Sequence, residues 1–402
     1  MSRHAAATLG LFALATRLGA QTLPVPSLTP PAETAPLPQG WEYCFGTGIG
    51  RDGNIDFLVP DGPSGVAIAP YAVLARTRRG PRSEVRTAAS GRWLTYPEQG
   101  LDRSYLDVGV DAHHRISPRT DARATASYGL GYSDRSRILL EQATALPVVK
   151  ARTLSASLGL VSRRGRHTSV RLDGRLYRTE FDSPALIDGQ SLRATVGLET
   201  VRERTIPAFE YAVEQVGSGG SGRPYLTHFA ALQWTRVLSA RSALLLQGGA
   251  SLTPEAARAG LEHEKSFFGG AAFTHRSKRS NLTVFVRREV APAFGLGRSR
   301  LELRSGLDAA LPLGRAWELR LFGTHVAPDP GPAAERAYGA SEDILTSLGR
   351  RLGRRLEVSA EARYRRRGAS ARYPALESLQ AGLFVTVLSP SGRAIPPTSA
   401  LP

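Results

Sequence analysis

Three short stretches of the chain carry residue types that could do chemistry. Gly48-Ile49-Gly50-Arg51-Asp52-Gly53 spells G-x-G-x-x-G. In a dinucleotide site such glycines follow a strand and open a helix whose N-terminus holds the pyrophosphate. Here "NIDFLVPDGPSG" comes next, with Pro60 and Pro63 and no helical period. Gly46, Gly48 and Gly50 therefore read as one face of a first strand, small enough for close packing. The overlapping "DGNIDF" sets Asp52, Asn54 and Asp56 at the alternate positions of a calcium loop. That loop also needs glycine at its sixth position and a carboxylate at its twelfth, where this chain has Phe57 and Pro63. A polar loop is the better reading. His113-His114 could suggest a metal pair, but neighbours on a strand point to opposite faces. Neither G-x-S-x-G nor H-E-x-x-H occurs. A hydrolytic site would have to assemble in space around His228, His325 and a serine or acid. The residues call for no cofactor and no metal.

The elements that would position such residues are strands. In residues 121–132, "DARATASYGLGY", Ala122, Ala124, Ala126, Tyr128, Leu130 and Tyr132 share one face, opposite Asp121, Arg123, Thr125 and Ser127. The same period of two runs through residues 104–114, 168–176 and 355–365, and marks two-faced strands. Eighteen such segments are predicted, starting near Trp41, Ser64, Ser83, Arg103, Arg119, Val148, His167, Gln190, Ile206, Pro224, Arg241, Lys265, Asn281, Ser299, Ala316, Tyr338, Arg355 and Leu376. The first, ninth and sixteenth have the weakest pattern, which leaves sixteen as the lower count. The segments are long, and ten tilted residues span a bilayer.

Connections alternate in length. "RRGPR" (78–82), "SPRT" (117–120), "RRGR" (163–166) and "SKRS" (277–280) are short; residues 51–64, 133–147, 182–190, 216–224, 253–265 and 327–337 are longer. Short periplasmic turns and long external loops are the habit of a transmembrane barrel. Within 253–264, Thr253 followed by Pro254 predicts the start of a short loop helix. Trp93, Tyr96, Tyr132, Phe181, Tyr225, Phe294, Tyr338 and Tyr373 fall near the long-loop ends, and Trp41, Trp234 and Trp317 near the short-turn ends, as two interfacial girdles would. The expected fold is all-β, a transmembrane antiparallel barrel over residues 41–388. Residues 1–20 read as a secretory signal, 21–40 as a Pro-rich periplasmic linker and 389–402 as a C-terminal tail. The expected location is the bacterial outer membrane.

Lys and Arg outnumber Asp and Glu by 52 to 35, a formal charge of +17. The basic residues are scattered or sit in short turns, without any nucleic-acid motif, so a nucleic-acid partner is not expected. A single Cys44 excludes an intramolecular disulfide and a cysteine-built zinc site. The polar strand face holds Asp107, Asp111, Asp121, Arg123, Arg171, Asp173, Arg175, Arg193, Glu199, Arg287, Glu302, Arg304, Asp308, Glu318, Arg320, Glu357, Glu361, Arg363 and Arg365. A basic residue facing lipid at mid-membrane costs about 2–4 kcal/mol, so this row is expected to line the lumen. It would either brace the wall as charge ladders or bind passing solutes weakly.

Residues 103–134, "RSYLDVGVDAHHRISPRTDARATASYGLGYSD", resemble the β-barrel porin-2 family of outer-membrane proteins. The resemblance lies in Tyr105, the alternating Asp107-Val108-Gly109-Val110, the turn Ile116-Ser117-Pro118-Arg119-Thr120 and the strand ending Tyr128-Gly129-Leu130-Gly131-Tyr132. It implies an outer-membrane pore, with an association with exopolysaccharide export and periplasmic export components, and carries no catalytic residues. Outer-membrane lipid and the barrel-insertion machinery are the other expected partners. The last strand "LQAGLFVTVL" is followed by "SPSGRAIPPTSALP" rather than ending on an aromatic residue, a departure from the usual insertion signal. Three functions stand at this point: a polar passive pore, a barrel hydrolase of lipid or peptide, and a surface-interaction barrel with a plugged lumen.

Overall fold

Long two-faced strands joined by tight hairpins can satisfy every backbone hydrogen bond only by closing on themselves, and these do. The computed structural model describes residues 40–57, 60, 62–133, 148–184, 186–219, 224–259, 261–277, 280–293, 298–314, 316–328, 339–353, 355–369 and 374–389. Its strands are β1 (Gly40–Asp52), β2 (Gly65–Ile68), β3 (Tyr71–Arg79), β4 (Ser83–Tyr96), β5 (Leu101–Ser117), β6 (Thr120–Tyr132), β7 (Lys150–Arg163), β8 (Thr168–Phe181), β9 (Gly189–Thr200), β10 (Thr205–Ser218), β11 (Tyr225–Ser239), β12 (Ser242–Leu252), β13 (Lys265–Arg276), β14 (Asn281–Ala293), β15 (Arg298–Leu313), β16 (Trp317–Pro328), β17 (Ser341–Leu352), β18 (Leu356–Arg367) and β19 (Leu376–Leu388). All pairings are antiparallel. β1 closes the ring on β19, in register from Cys44↔Leu388 to Asp52↔Gln380.

Nineteen strands make eighteen staves. β2 and β3 are one stave broken at Pro70, which has no N–H to give the ladder. The ladder survives the break: Ala69 exchanges both backbone bonds with Gly48, and the Pro70 carbonyl accepts from the Trp93 N–H. Each of the eighteen segments expected from the sequence forms a stave. The three with the weakest pattern are full strands, β10 among them with 14 residues.

The outer face is apolar. Leu158, Leu232, Leu379 and Leu383 are each at least 60 % exposed, and Ile49, Leu192, Leu198 and Phe267 belong to the same outward row. Such a continuous belt around a closed sheet is a hydrocarbon-facing surface. One end carries the tight hairpins and both ends of the sheet, Gly40 and Leu388; the other carries the long connections and two short ones, residues 97–100 and 294–297. The signal, most of the linker, and the tail beyond Ser389 lie outside the described residues, as do Phe294, Tyr338 and Tyr373.

The girdles differ from expectation. Trp41, Trp93, Trp234 and Trp317 face outward and are 37–59 % exposed. Tyr96 and Tyr225 are buried inside the barrel, and Tyr132 turns onto Tyr105 with ring centroids 5.7 Å apart. A ring at a strand end is free to choose the lumen where inward-folded loops offer it partners, and here they do.

Candidate functional site

The lumen is built by the alternate row of every strand. Registers place Asp107 and Asp111 of β5, Asp121 and Arg123 of β6, and Arg171, Asp173 and Arg175 of β8 opposite the exposed apolar row. The same holds for Arg193 and Glu199 of β9, Arg287 of β14, Glu302, Arg304 and Asp308 of β15, and Glu318 and Arg320 of β16. Glu357, Glu361, Arg363 and Arg365 of β18 complete the row. Within it the residues divide into two groups by exposure.

The first group is packed. Glu302 is fully buried, between Arg304 at 2.6 Å and Arg300 on the same strand. Glu289 of β14 joins it, 3.1 Å from Arg287 and 3.6 Å from Arg304. Across the lumen, Arg193 lies 3.6 Å from Glu214 and over the Phe229 ring at 4.8 Å. Glu214 also accepts from the Ser191 hydroxyl at 2.5 Å, and Glu210 accepts from Gln233 Nε2 at 2.8 Å. Arg363 makes a two-pronged bond to Asp343 at 2.7 and 2.9 Å. These pairs lie along the wall, within one strand or between neighbouring strands, with little of any group left for water.

The second group faces open space on the wall of β5, β6 and β7. Asp107 and Ser127 are exposed. Asp111 is 43 % exposed while its partner Arg123 is tucked behind it at 15 %. Around them the inner surface is hydroxylic and small: Thr125 bonds Ser157 and Ser127 bonds Ser155, both at 2.6 Å. Gly109, Gly129 and Gly159 keep the wall flat. Asp308 of β15 is also exposed.

Among the described residues, two loop segments fold inward at the long-loop end. The first, residues 53–57 and 62–64, is held by Arg103 of β5, whose guanidinium donates to the Ile55 carbonyl at 3.0 Å and to Asp56 at 2.6 Å. Tyr96 and Tyr132 stack on that guanidinium. At its tip Phe57, fully buried with φ of 49°, sits against Val148 and Leu376 and 4.6 Å beneath the Arg365 guanidinium. Asp52, which the sequence placed first in a candidate calcium loop, anchors the root of this loop instead. Its carboxylate accepts from the Asn54 N–H, Tyr96, Ser378 and Gln380. The second, residues 253–259 and 261–264, contains the expected short helix as a single turn, Ala256–Ala259. Its Ala259 and Leu261 pack onto Val216 and Tyr225 and the turn touches β15. Thr253 does not cap it: its hydroxyl bonds Thr227.

The glycine row of β1 has a packing role. A Cβ at Gly48 would lie 2.1 Å from Phe384 Cδ1, and one at Gly46 would lie 2.9 Å from the Tyr71 ring. Both rings lie flat on the inner wall, Tyr71 bonded to Thr386 across the β1–β19 seam. Gly48→Ala is therefore expected to destabilise the barrel by about 1–3 kcal/mol through overpacking. Phe384→Ala in the same chain should restore part of that loss, measured as the temperature at which the folded band is lost in unboiled electrophoresis.

His228 and His325 are placed on the outer face. His228 bonds the Tyr211 hydroxyl at 2.8 Å and His325 lies 3.3 Å from Glu342. His113 and His114 point to opposite sides, His113 alone reaching Asp121. The sequence reading missed Arg103, Glu210, Glu214, Glu289 and Arg300. Glu210 and Glu214 were in principle legible, since "FEYAVEQV" alternates on β10.

A closed, antiparallel, eighteen-stave ring with a belt of lipid-facing leucines and a charged interior defines a bacterial outer-membrane β-barrel. Its fold is similar to the outer membrane protein opdK from Pseudomonas aeruginosa (14 % identity over 87 % of this chain and 98 % of that one, TM-score 0.44). It is also similar to OccK11 (OpdR) from Pseudomonas aeruginosa (13 %, 88 % and 98 %, TM-score 0.44) and to the outer membrane channel DcaP of Acinetobacter baumannii (9 %, 87 % and 98 %, TM-score 0.40). No known protein family and no curated protein matches the sequence.

Proposed function

We propose that the chain is a passive pore for small hydrophilic solutes, whose path follows the β5–β7 wall. The observation that carries this reading is the contrast within one lumen. Glu302, Arg193 and Arg363 are buried against their partners, whereas Asp107, Asp111 and Ser127 on β5 and β6 keep exposed oxygens on a wall of small residues. Eighteen staves give a lumen wide enough for water unless loops fill it; among the described residues the inward segments pack beside β1–β7 and β19 and beside β10, β11 and β15. Weak, repeated oxygen contacts are what a conducting wall needs, since a solute must bind and leave. A secreted exopolysaccharide, the cargo implied by the porin-2 resemblance, would have to pass Phe57 and Ala259, so small solutes fit the outer half better.

The test is planar-bilayer conductance of the refolded chain. Discrete, voltage-tolerant openings are expected, with a cation preference in a salt gradient despite the formal charge of +17. Asp107→Asn with Asp111→Asn should lower the cation-to-anion permeability ratio. A chain that inserts as a folded barrel and passes no current would replace the pore reading with the plugged, surface-interaction one. The hydrolase reading is disfavoured by the outward position of His228 and His325; loss of a lipase or protease activity on His228→Ala would revive it.

A further inference from the structure

We propose that the short-turn end of the barrel binds anionic glycerophospholipid headgroups of the inner leaflet. Most of the formal excess of +17 sits at this end. Every hairpin there carries arginine, in "RTRRGPR", "SPRT", "RRGR", "RER", "SAR", "SKRS", "LGRA" and "GRRLGRR", against few acids, chiefly Glu84, Asp121, Glu203, Glu318 and Glu357.

Three arginines at this end point out of the barrel, each beside a tryptophan. Arg76 of β3 is the register partner of Trp41 and lies 5.2 Å over its ring. Arg350 of β17 is the register partner of Trp317 and stacks on it at the same distance. Arg236 of β11 shares the outward row with Trp234, two residues away. The three pairs stand at β1–β3, β11 and β16–β17, the first and last separated by β18 and β19.

On the inner face Arg123, Arg193, Arg287, Arg304 and Arg363 each lie against a carboxylate. Among the described residues Arg76, Arg236 and Arg350 have no ion-pair partner. Indole rings rest at the carbonyl level of a bilayer, and a guanidinium on a flexible stem just beyond it reaches the phosphate level. Its planar fork matches two phosphate oxygens. For Arg76 and Arg350, stacking on the indole fixes the fork's direction, so the lipid supplies the counter-charge that the protein omits. Orientation follows from the tight hairpins facing the periplasm. The inference does not depend on whether the lumen conducts.

The full chain, folded into vesicles of phosphatidylethanolamine and phosphatidylglycerol, would be extracted in mild detergent and its retained lipid weighed by native mass spectrometry. Phosphatidylglycerol should be enriched several-fold over the bulk ratio. In R76Q/R236Q/R350Q, checked as folded by its unboiled electrophoretic mobility, retention should fall to the bulk ratio. R76K/R236K/R350K should keep a preference weaker than the wild type. A bulk ratio in the wild type, or enrichment that persists in the glutamine variant, overturns the proposal. So does enrichment abolished by an equal concentration of inorganic phosphate, which would mark a free-anion site.

Discussion

Glu302→Leu is expected to be among the most damaging single changes in the barrel. The carboxylate is fully buried, and it alone is bonded to both Arg300 and Arg304, themselves 11 % and 4 % exposed. Its loss takes from both guanidiniums a carboxylate in direct contact, and Glu289, 3.6 Å from Arg304, already serves Arg287. Breaking a buried pair by removing one partner costs about 3–5 kcal/mol, because the other charge stays buried and uncompensated. Glu318→Leu is the matched control. Glu318 and Arg320 form an equally short pair on the next strand but are 40 % and 42 % exposed, and such pairs are worth about 0–1 kcal/mol. Urea unfolding in lipid vesicles should separate the two variants by several kcal/mol. Equal losses would mean that the inner wall at Glu302 is as wet as at Glu318.

Arg103→Ala should change transport rather than chiefly stability. One guanidinium holds the first loop by its backbone at Ile55 and its side chain at Asp56, and is itself clamped between Tyr96 and Tyr132. Bonds to a charged donor contribute about 1.5–3 kcal/mol each, comparable with what keeps a short loop folded inward. Without them Phe57 loses its seat beneath Arg365, and the outer half of the lumen widens. Single-channel conductance should rise several-fold, and cleavage by an external protease near Asp56 should become faster. Conductance identical to wild type would show that the solute path does not pass this loop.

Much of this architecture was written in the residues. A period of two survives mutation-tolerant surfaces because the hydrocarbon and the lumen impose opposite demands on neighbouring side chains. That is why all eighteen staves could be traced, and why the charged row falls on one side of the wall. The break at Pro70 was hidden, since "VAIAPYAVLA" alternates straight through it and only the missing N–H matters. Tyr96, Tyr132 and Tyr225 defeated the girdle assignment for another reason. Sequence position fixes their height along the barrel, but the facing direction at a strand end depends on a loop folded from elsewhere. Arg103 shows the same limit: its partners Ile55 and Asp56 lie across the first hairpin, and nothing in "LDRSY" marks it as a clamp. The β1 glycines were read correctly as a close-packing face, yet the ring that packs there, Phe384, is more than three hundred residues away.

That distance has a consequence for assembly. The seam between β1 and β19 is fastened by side chains as well as backbone: Asp52 to Ser378 and Gln380, Tyr71 to Thr386, and the Phe384 ring over Gly48. None of these fasteners exists until the final strand has been synthesised, so the growing sheet must carry two sticky borders through nearly its whole maturation. Contacts this remote are costly to nucleate and slow to find. The same lock that makes the finished ring hard to unzip sideways leaves an incomplete one with its margins unguarded until the last strand arrives.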